Sequence, residues 1–297
     1  MSKKPLTIAQ FFKQFPDDET CLQHLFEVRY GQGHACPSCD RPSKWYRIKA
    51  ERAYSCQWCG HHLHPTVGTP FALTRTPLQL WFYAIFLFTT TRNGVAAKEL
   101  QRQLGVTYKT AWRMADLIRA HMASVDGDDP VGGEGKIVEV DETFIGGSIR
   151  RRPFTSQSRS KRTNKTMILG CLERDGDVVT TIVPDQRKHN LLPKVAENVL
   201  AGSMIHTDEL RSYSDLPKMG FSHDTVNHSR SHYVSPTGCH TQGIENFWSQ
   251  LKRSINGTHI HVSGKHLWKY AKEAEYRFNR RDCAETMLEE LLTTFRP

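Results

Sequence analysis

Two sets of residues in this 297-residue chain have types and spacings suited to chemistry. The first is Cys36-Pro-Ser-Cys39 and Cys56-Gln-Trp-Cys59, two CxxC pairs separated by the sixteen residues 40 to 55. Zn²⁺ in a structural site takes a tetrahedron of thiolates or imidazoles, and two CxxC turns at this spacing supply four thiolates. Asp40 and Gly60 follow the pairs, and Gly60 permits a left-handed turn after its knuckle. Two disulfides or free thiols are the competing reading; the absence of a secretory leader favours the metal. Cys21, Cys171, Cys239 and Cys283 stand alone, and buried free thiols are expected of them. His61, His62 and His64 follow the second pair. Four cysteines already saturate one zinc, so these histidines are expected at a polar surface or in contact with DNA.

The second set is three carboxylates far apart in the chain. Asp141 lies in Val140-Asp-Glu-Thr143, Asp208 in His206-Thr-Asp-Glu209 and Glu245 in Ile244-Glu-Asn-Phe-Trp248. Acids gathered at one point repel, and either hold raised pKa values or bind cations. Two Mg²⁺ (or Mn²⁺) ions, each held by carboxylates, water and phosphate oxygens, would relieve that repulsion. One ion would activate an attacking water or 3′-hydroxyl and the other would stabilise the leaving oxygen. Each acid taken singly reads better as a surface residue; the three motifs in this order are a much stronger signal.

The elements that must position these groups follow from pattern. Residues 7–15 and 18–30 read as short helices, and 34–70 as a ribbon with strand-like runs at 44–48 and 52–55. Leu78 to Thr90 is a mostly apolar helix. Val95 to Leu104, then Gly105-Val-Thr107, then Tyr108 to Arg119 has the grammar of a helix-turn-helix, with Gly in the turn and Thr107 able to cap the next helix. Tyr108, Lys109, Thr110 and Arg113 then sit at the N-terminal end of the second helix, where a recognition helix meets base edges. Residues 124–135 read as a linker by composition. Strands are expected over 136–145, 166–173 and 177–184, a helix over 190–200, a short strand over 203–208, and helices over 242–253, 264–281 and 283–294. Three strands, a helix, a fourth strand and closing helices describe an RNase H-like core. Its first and fourth strands are neighbours, which would bring Asp141 to Asp208, with a later helix carrying Glu245. Glu142 and Glu209 are expected to support rather than bind, and Trp248 to pack against the sheet.

The expected architecture is therefore a multidomain α/β chain: N-terminal helices (1–33), zinc ribbon (34–70), helix-turn-helix region (71–123), linker (124–135) and RNase H-like domain (136–297). Its longest apolar run, Leu80 to Phe88, has nine residues, far short of the ~18 needed to span a bilayer. The formal charge of +9 favours a polyanionic partner and is uneven along the chain. The ribbon carries +3, residues 71–123 carry +5, and the loop 150–165 carries +7, with Arg150, Arg151 and Arg152 at its start. Residues 124–149 carry −6. A basic loop rooted just past Asp141 is well placed to hold DNA.

Further motifs add to these: Phe144-Ile-Gly-Gly147, Arg211-Ser-Tyr213, Val226-Asn-His228-Ser229, the run His240 to Trp248, and Gly257-Thr-His. Together with the ribbon, they make the chain resemble bacterial insertion-sequence DDE transposases with an N-terminal zinc ribbon, the Merlin-related, ISXO-like group, over nearly its whole length. The resemblance implies that Asp141 and Asp208 are the first two acids. The third position varies in that family among Glu, Asn and His, which points to Glu245, with Asn246 or His240 as alternatives. Lys252, seven residues and about two turns after Glu245, matches the lysine that follows the third acid in many such enzymes and would touch phosphate near the cut. The implied activity is metal-dependent hydrolysis at the element's inverted ends and transfer of the 3′-hydroxyl to target DNA, by a homo-oligomer on paired ends in the cytoplasm, with one structural Zn²⁺. A catalytically silent DNA-binding regulator, or a nuclease of the same fold without strand transfer, are the alternatives.

Overall fold

The computed structural model describes residues 6–146, 165–226 and 239–295. The chain divides into two compact units, Met1–Val125 with Asp282–Pro297, and Asp126–Arg281.

The first unit opens with helices α1 (Ile8–Gln14) and α2 (Asp18–Arg29). Asp17 caps α2, its carboxylate accepting the Thr20 N–H at 2.8 Å, and Asp18 and Glu19 place negative charge against the helix dipole. The ribbon is an antiparallel sheet of β1 (Trp45–Ile48), β2 (Ala53–Cys56) and β3 (His62–Leu63). The last of these strands carries no alternation signal because it is two residues long. Helix α3 (Leu78–Thr90) is apolar all round, as a helix enclosed on every side must be. Its Trp81, Phe82, Ile85 and Phe88 are fully buried. Phe82 meets Phe15 at 5.0 Å and Phe71 at 5.6 Å between ring centroids. Helix α4 (Ala97–Leu104) ends at Gly105, whose left-handed φ of 65° turns the chain into α5 (Tyr108–Asp126). Thr107 Oγ1 accepts the Thr110 N–H at 3.2 Å and caps α5.

The second unit begins in the segment expected to be a linker, and here the structure differs. Val131–Gly132 forms a short strand, β4, parallel to Val199–Leu200. Gly132 N–H donates to Glu173 Oε2 at 3.0 Å and Gly133 N–H to Ser203 Oγ at 2.8 Å. A Cβ at Gly132 would overlap that Ser203 oxygen. Gly132 is there because Ser203 and Val138 occupy the space a side chain would need, whereas Gly135 has open space and a left-handed φ of 76°.

The main sheet consists of β5 (Ile137–Ile145), β6 (Thr166–Glu173), β7 (Val178–Val183), β9 (Met204–Thr207) and β10 (Ser222–Thr225). Between β7 and β9 run α6 (Lys188–Asn198) and β8 (Val199–Leu200). The order is β10-β9-β5-β6-β7, with β5, β6 and β7 antiparallel and β9 and β10 parallel to β5. This matches the expected RNase H-like core, with strands one and four adjacent. The fifth strand, β10, was not expected; its Ser-His-Asp-Thr is polar because it is an edge. Strand β6 is buried on both faces: Met167, Leu169 and Cys171 pack with α6, and Ile168 and Leu172 pack under α7 (Gln242–Arg253) and α8 (Gly264–Asn279). On α7, Ile244, Phe247, Trp248 and Leu251 recur at helical spacing and are buried, each contributing about 1.5–3 kcal/mol. The helix runs on into a π-helical turn, Ser254–His259, which contains the Gly257-Thr-His motif.

The C-terminal boundary also differs from expectation. Residues 282–297, including α9 (Met287–Thr293), belong to the first unit and not to the core. Two histidines of the first unit, half-buried His24 and buried His121, bond the Leu292 and Leu291 carbonyls at 3.2 and 2.9 Å. Among the described residues, no helix is long and apolar enough to cross a membrane.

Candidate active site and cysteine centre

The two CxxC pairs converge. All four Sγ atoms lie within 4.8 Å of one another. Cys36 and Cys59 stand 3.6 Å apart and Cys39 and Cys56 3.9 Å apart, while a Zn–S bond of about 2.3 Å gives a tetrahedron edge of about 3.8 Å. The cysteines are free thiols, so the disulfide reading falls. The two knuckles repeat one backbone design. Asp40 N–H donates to Cys36 O at 2.8 Å and Gly60 N–H to Cys56 O at 3.1 Å, with φ of 55° and 73° at those turns. The Ser43 hydroxyl and Trp58 N–H both donate to Cys56 Sγ, at 3.2 and 3.4 Å, which favours the thiolate a metal needs. The geometry and donor set fit a structural Zn²⁺. Exposed His62 and His64 lie near Glu51, and His62 pairs with it at 2.8 Å.

The carboxylates are placed by sheet register. Glu139 on β5 pairs with His206 on β9; two residues further along both chains stand Asp141 and Asp208. Alternation puts Asp141 on the sheet face under α7, and Glu142 on the face of α6. Burial, Glu142 and Asp208 push the Asp141 carboxyl up to about 7. Burial is the larger cause and repulsion by neighbouring carboxylates adds to it; a divalent cation would offset both, and hard carboxylate oxygens suit Mg²⁺ or Mn²⁺. Asp208 Oδ1 accepts the Leu210 N–H at 3.0 Å.

Glu245 lies in the first turn of α7, where the Thr241 hydroxyl donates to its Oε1 at 2.9 Å. It is exposed to a cleft of about 730 Å³ shared with Asp141, Trp248, Lys252, Arg253 and the π-turn residues Asn256 and Gly257. Glu245 and Lys252 thus open on the same cleft. The oxygens of Asp141, Asp208 and Glu245 do not all come within 4.8 Å of one another. Of the alternatives for the third position, Asn246 is exposed on α7 and His240 faces Glu139, its Nδ1 3.2 Å from that carboxylate.

Several supporting residues carry no motif. Glu139, 1% exposed, accepts the Ile244 N–H at 3.0 Å and meets Arg174 at 3.2 Å, fastening the start of α7 to β5. Arg174 also reaches His206 Nδ1 at 3.2 Å. The signal was available: Glu139 sits two residues before Asp141, hence on the same strand face. Glu142 accepts from buried Tyr213 at 2.6 Å and from Gln186 at 2.5 Å, which gives the Arg211-Ser-Tyr213 motif a supporting role. Trp248 is buried against the sheet as expected, and its indole N–H also donates to Asp141 Oδ2 at 3.0 Å.

Tyr108, Lys109 and Arg113 are exposed at the start of α5, and Thr110 is half-buried beside Thr107. Arg150, Arg151 and Arg152, with the rest of the basic loop up to 164, and residues 227–229 of the Val226 motif lie outside the described residues.

Two family models match the chain. Residues 132–279 match the ISXO2-like transposase domain, and residues 16–62 match the transposase zinc-ribbon domain. An uncharacterised transposase-like protein of Haemophilus influenzae is 38% identical over 105 residues, covering 34% of this chain and 80% of that one. Among solved structures, the Mos1 strand transfer complex shares 12% identity over 72% of this chain and 79% of that one, with a TM-score of 0.25. The Mos1 paired-end complex with the left transposon end shares 10% over 72% and 80%, with a TM-score of 0.23. The chain belongs to the ISXO2-like transposases that carry an N-terminal zinc ribbon.

Proposed function

We propose that this protein binds the inverted ends of its own element, cleaves them by metal-dependent hydrolysis and passes the freed 3′-hydroxyl to target DNA. The observation that supports this reading is the register of β5 and β9, which pairs Glu139 with His206 two residues before Asp141 and Asp208, together with a cleft lined by Asp141, Glu245, Lys252 and Arg253. Asp141 and Asp208, with Glu245 from α7, would hold a divalent cation, which would supply activation of the attacking oxygen and stabilisation of the leaving one. Lys252 and Arg253 close the last turn of α7, and their positive charge suits a phosphate backbone drawn into the cleft. Glu142, held by Tyr213 and Gln186, keeps β5 rigid behind Asp141.

End recognition falls to the ribbon and to α4–α5 acting as a helix-turn-helix. The exposed Tyr108, Lys109 and Arg113 of α5 would face base edges, with Thr110 beside them. Arg150, Arg151 and Arg152 add cations next to the chemistry. Cleavage of paired ends would call for a homo-oligomer, working in the cytoplasm on nucleoid DNA.

The test is Asp208→Asn on the full chain, with labelled element ends. Cleavage should fall below detection, a loss of roughly 10³ or more, while end binding stays. Cleavage retained by the variant overturns the cation assignment. Cleavage of random DNA as fast as element ends by the parent would make the protein a nuclease.

A further inference from the structure

Asp141 lies directly opposite Gly170 in the antiparallel pairing of β5 with β6. Gly170 is an oddity there, since it interrupts a strand otherwise filled with buried side chains, where glycine forfeits packing. The reason lies above it. A Cβ at 170 would stand 2.6 and 2.8 Å from Cζ2 and Cη2 of Trp248, and 2.9 Å from Ile244 Cδ1. The missing side chain is the space the indole occupies. From that position the indole N–H reaches Asp141 Oδ2 at 3.0 Å. Trp248 also follows Glu245 by three residues, so the contact that orients the first acid fixes the rotation of the helix bearing the third. A second close approach lies one turn earlier, where a Cβ at Gly243 would sit 2.8 Å from Glu139 Oε2. Helix α7 is thus seated on β5 at two points, and one of them is a polar bond to the proposed cation ligand itself.

We propose that Trp248 is a positioning residue for cation binding: its indole N–H fixes the rotation of the Asp141 carboxylate, and Gly170 is the gap that makes this contact possible. The proposal rests on the reading of Asp141 as a cation ligand. A packing role alone would need the ring and not the N–H, so Trp248→Phe separates the two. Groups that orient a metal ligand from behind typically set affinity by 10- to 100-fold.

The experiment titrates Mn²⁺ into the full chain labelled with 5-fluorotryptophan and follows the six tryptophan fluorine resonances, with Mn²⁺ affinity measured in parallel by electron paramagnetic resonance. One resonance, that of Trp248, should broaden first and most, because paramagnetic broadening falls off steeply with distance. Trp248→Phe should remove that resonance, keep the melting transition and end binding, and weaken Mn²⁺ about tenfold. Gly170→Ala, which keeps the indole and takes its space, should weaken Mn²⁺ as well. A Trp248 resonance that stays sharp at saturating Mn²⁺, or a folded Trp248→Phe chain whose Mn²⁺ affinity changes by less than about twofold, overturns the proposal. If the Phe variant does not fold, Gly170→Ala decides by the same Mn²⁺ criterion. Asp141→Asn keeps the two readings apart: full Mn²⁺ affinity in that variant overturns the ligand assignment itself, whatever Trp248 does.

Discussion

The cysteine centre and the carboxylate centre are built on opposite plans. The cysteine centre takes four ligands from one stretch of chain, residues 36 to 59, and two copies of the same backbone turn aim them. The proposed carboxylate centre draws on residues 141, 208 and 245, whose relative placement depends on the register of β5 with β9 and the seating of α7. The first would close around an ion with no position left over, as a structural site does; the second faces a cleft. A closed site can be encoded locally, because its geometry needs nothing beyond two turns and a hairpin. An open one must share its surroundings with substrate, and its precision comes from elements distant in sequence.

That contrast can be broken most sharply at the cysteines. Structural Zn²⁺ contributes an apparent ~10–16 kcal/mol in small zinc domains, so Cys56→Ser should abolish zinc binding and unfold the ribbon. Amide exchange should show β1–β3 losing protection while the sheet of the second unit keeps its own. A variant that still carries one zinc per chain would show that the four thiolates are not the ligand set. The carboxylate centre should fail differently, by loosening. Glu139→Ala leaves Arg174 without its buried partner and the start of α7 without its anchor. The expected cost is about 3 kcal/mol in the second unit alone, read as a lower melting transition with zinc content unchanged. An unaltered transition would mean that α7 is held by its apolar face and not by this network.

The same contrast explains what could be read from the chain before its structure. The ribbon, the α4–α5 pair and the strand order of the core were legible, because CxxC spacing, Gly105 with Thr107, and alternation at 136–145 and 166–173 are local signals. The placement of Asp141 beside Asp208 was legible only through the expected order of strands. What escaped was non-local. Residues 124–135 read as a linker, since nothing in that stretch reveals that Gly132 packs on Ser203. Strand β10 exists because β9 offers it an edge, and its polar Ser-His-Asp-Thr has no strand pattern of its own. The last sixteen residues read as part of the core because they follow it, whereas half-buried His24 and buried His121 bond the carbonyls of α9. Trp248 was expected to pack, and its bond to Asp141 requires knowing that residue 170 across the sheet is glycine.

A smaller effect should separate the two units by pH. Burial depresses the titration of both His121 and His24 below the usual imidazole value of 6.5. Below about 6.5 an unfolded chain therefore takes up protons that the folded first unit refuses. The stabilisation is complete above that pH and declines as pH falls through the window beneath it. Melting followed from pH 7.5 to 5 should show the first unit losing stability in that window, and His121→Leu should flatten the decline. An identical acid decline in the variant would assign it to other groups.

The smallest effect lies within the cysteine centre and tests whether its two halves are equivalent. Asp40 and Gly60 occupy the same position in the two knuckles, both with left-handed φ, yet only one of them lacks a Cβ. For an L-residue that conformation carries roughly 1–2 kcal/mol of strain, less for Asp than for most. Glycine in turn loses more backbone freedom on folding, which offsets part of the gain. Asp40→Gly should therefore stabilise the ribbon by a net of about 0.5 kcal/mol, and Gly60→Ala should destabilise it by about 1 kcal/mol. Chelator competition for the zinc reads both changes at the centre itself. Asp40→Asn supplies the control, since it removes a negative charge beside four thiolates while keeping the Cβ. If Asn gives the whole gain and Gly adds nothing, charge and not backbone strain distinguishes the two knuckles.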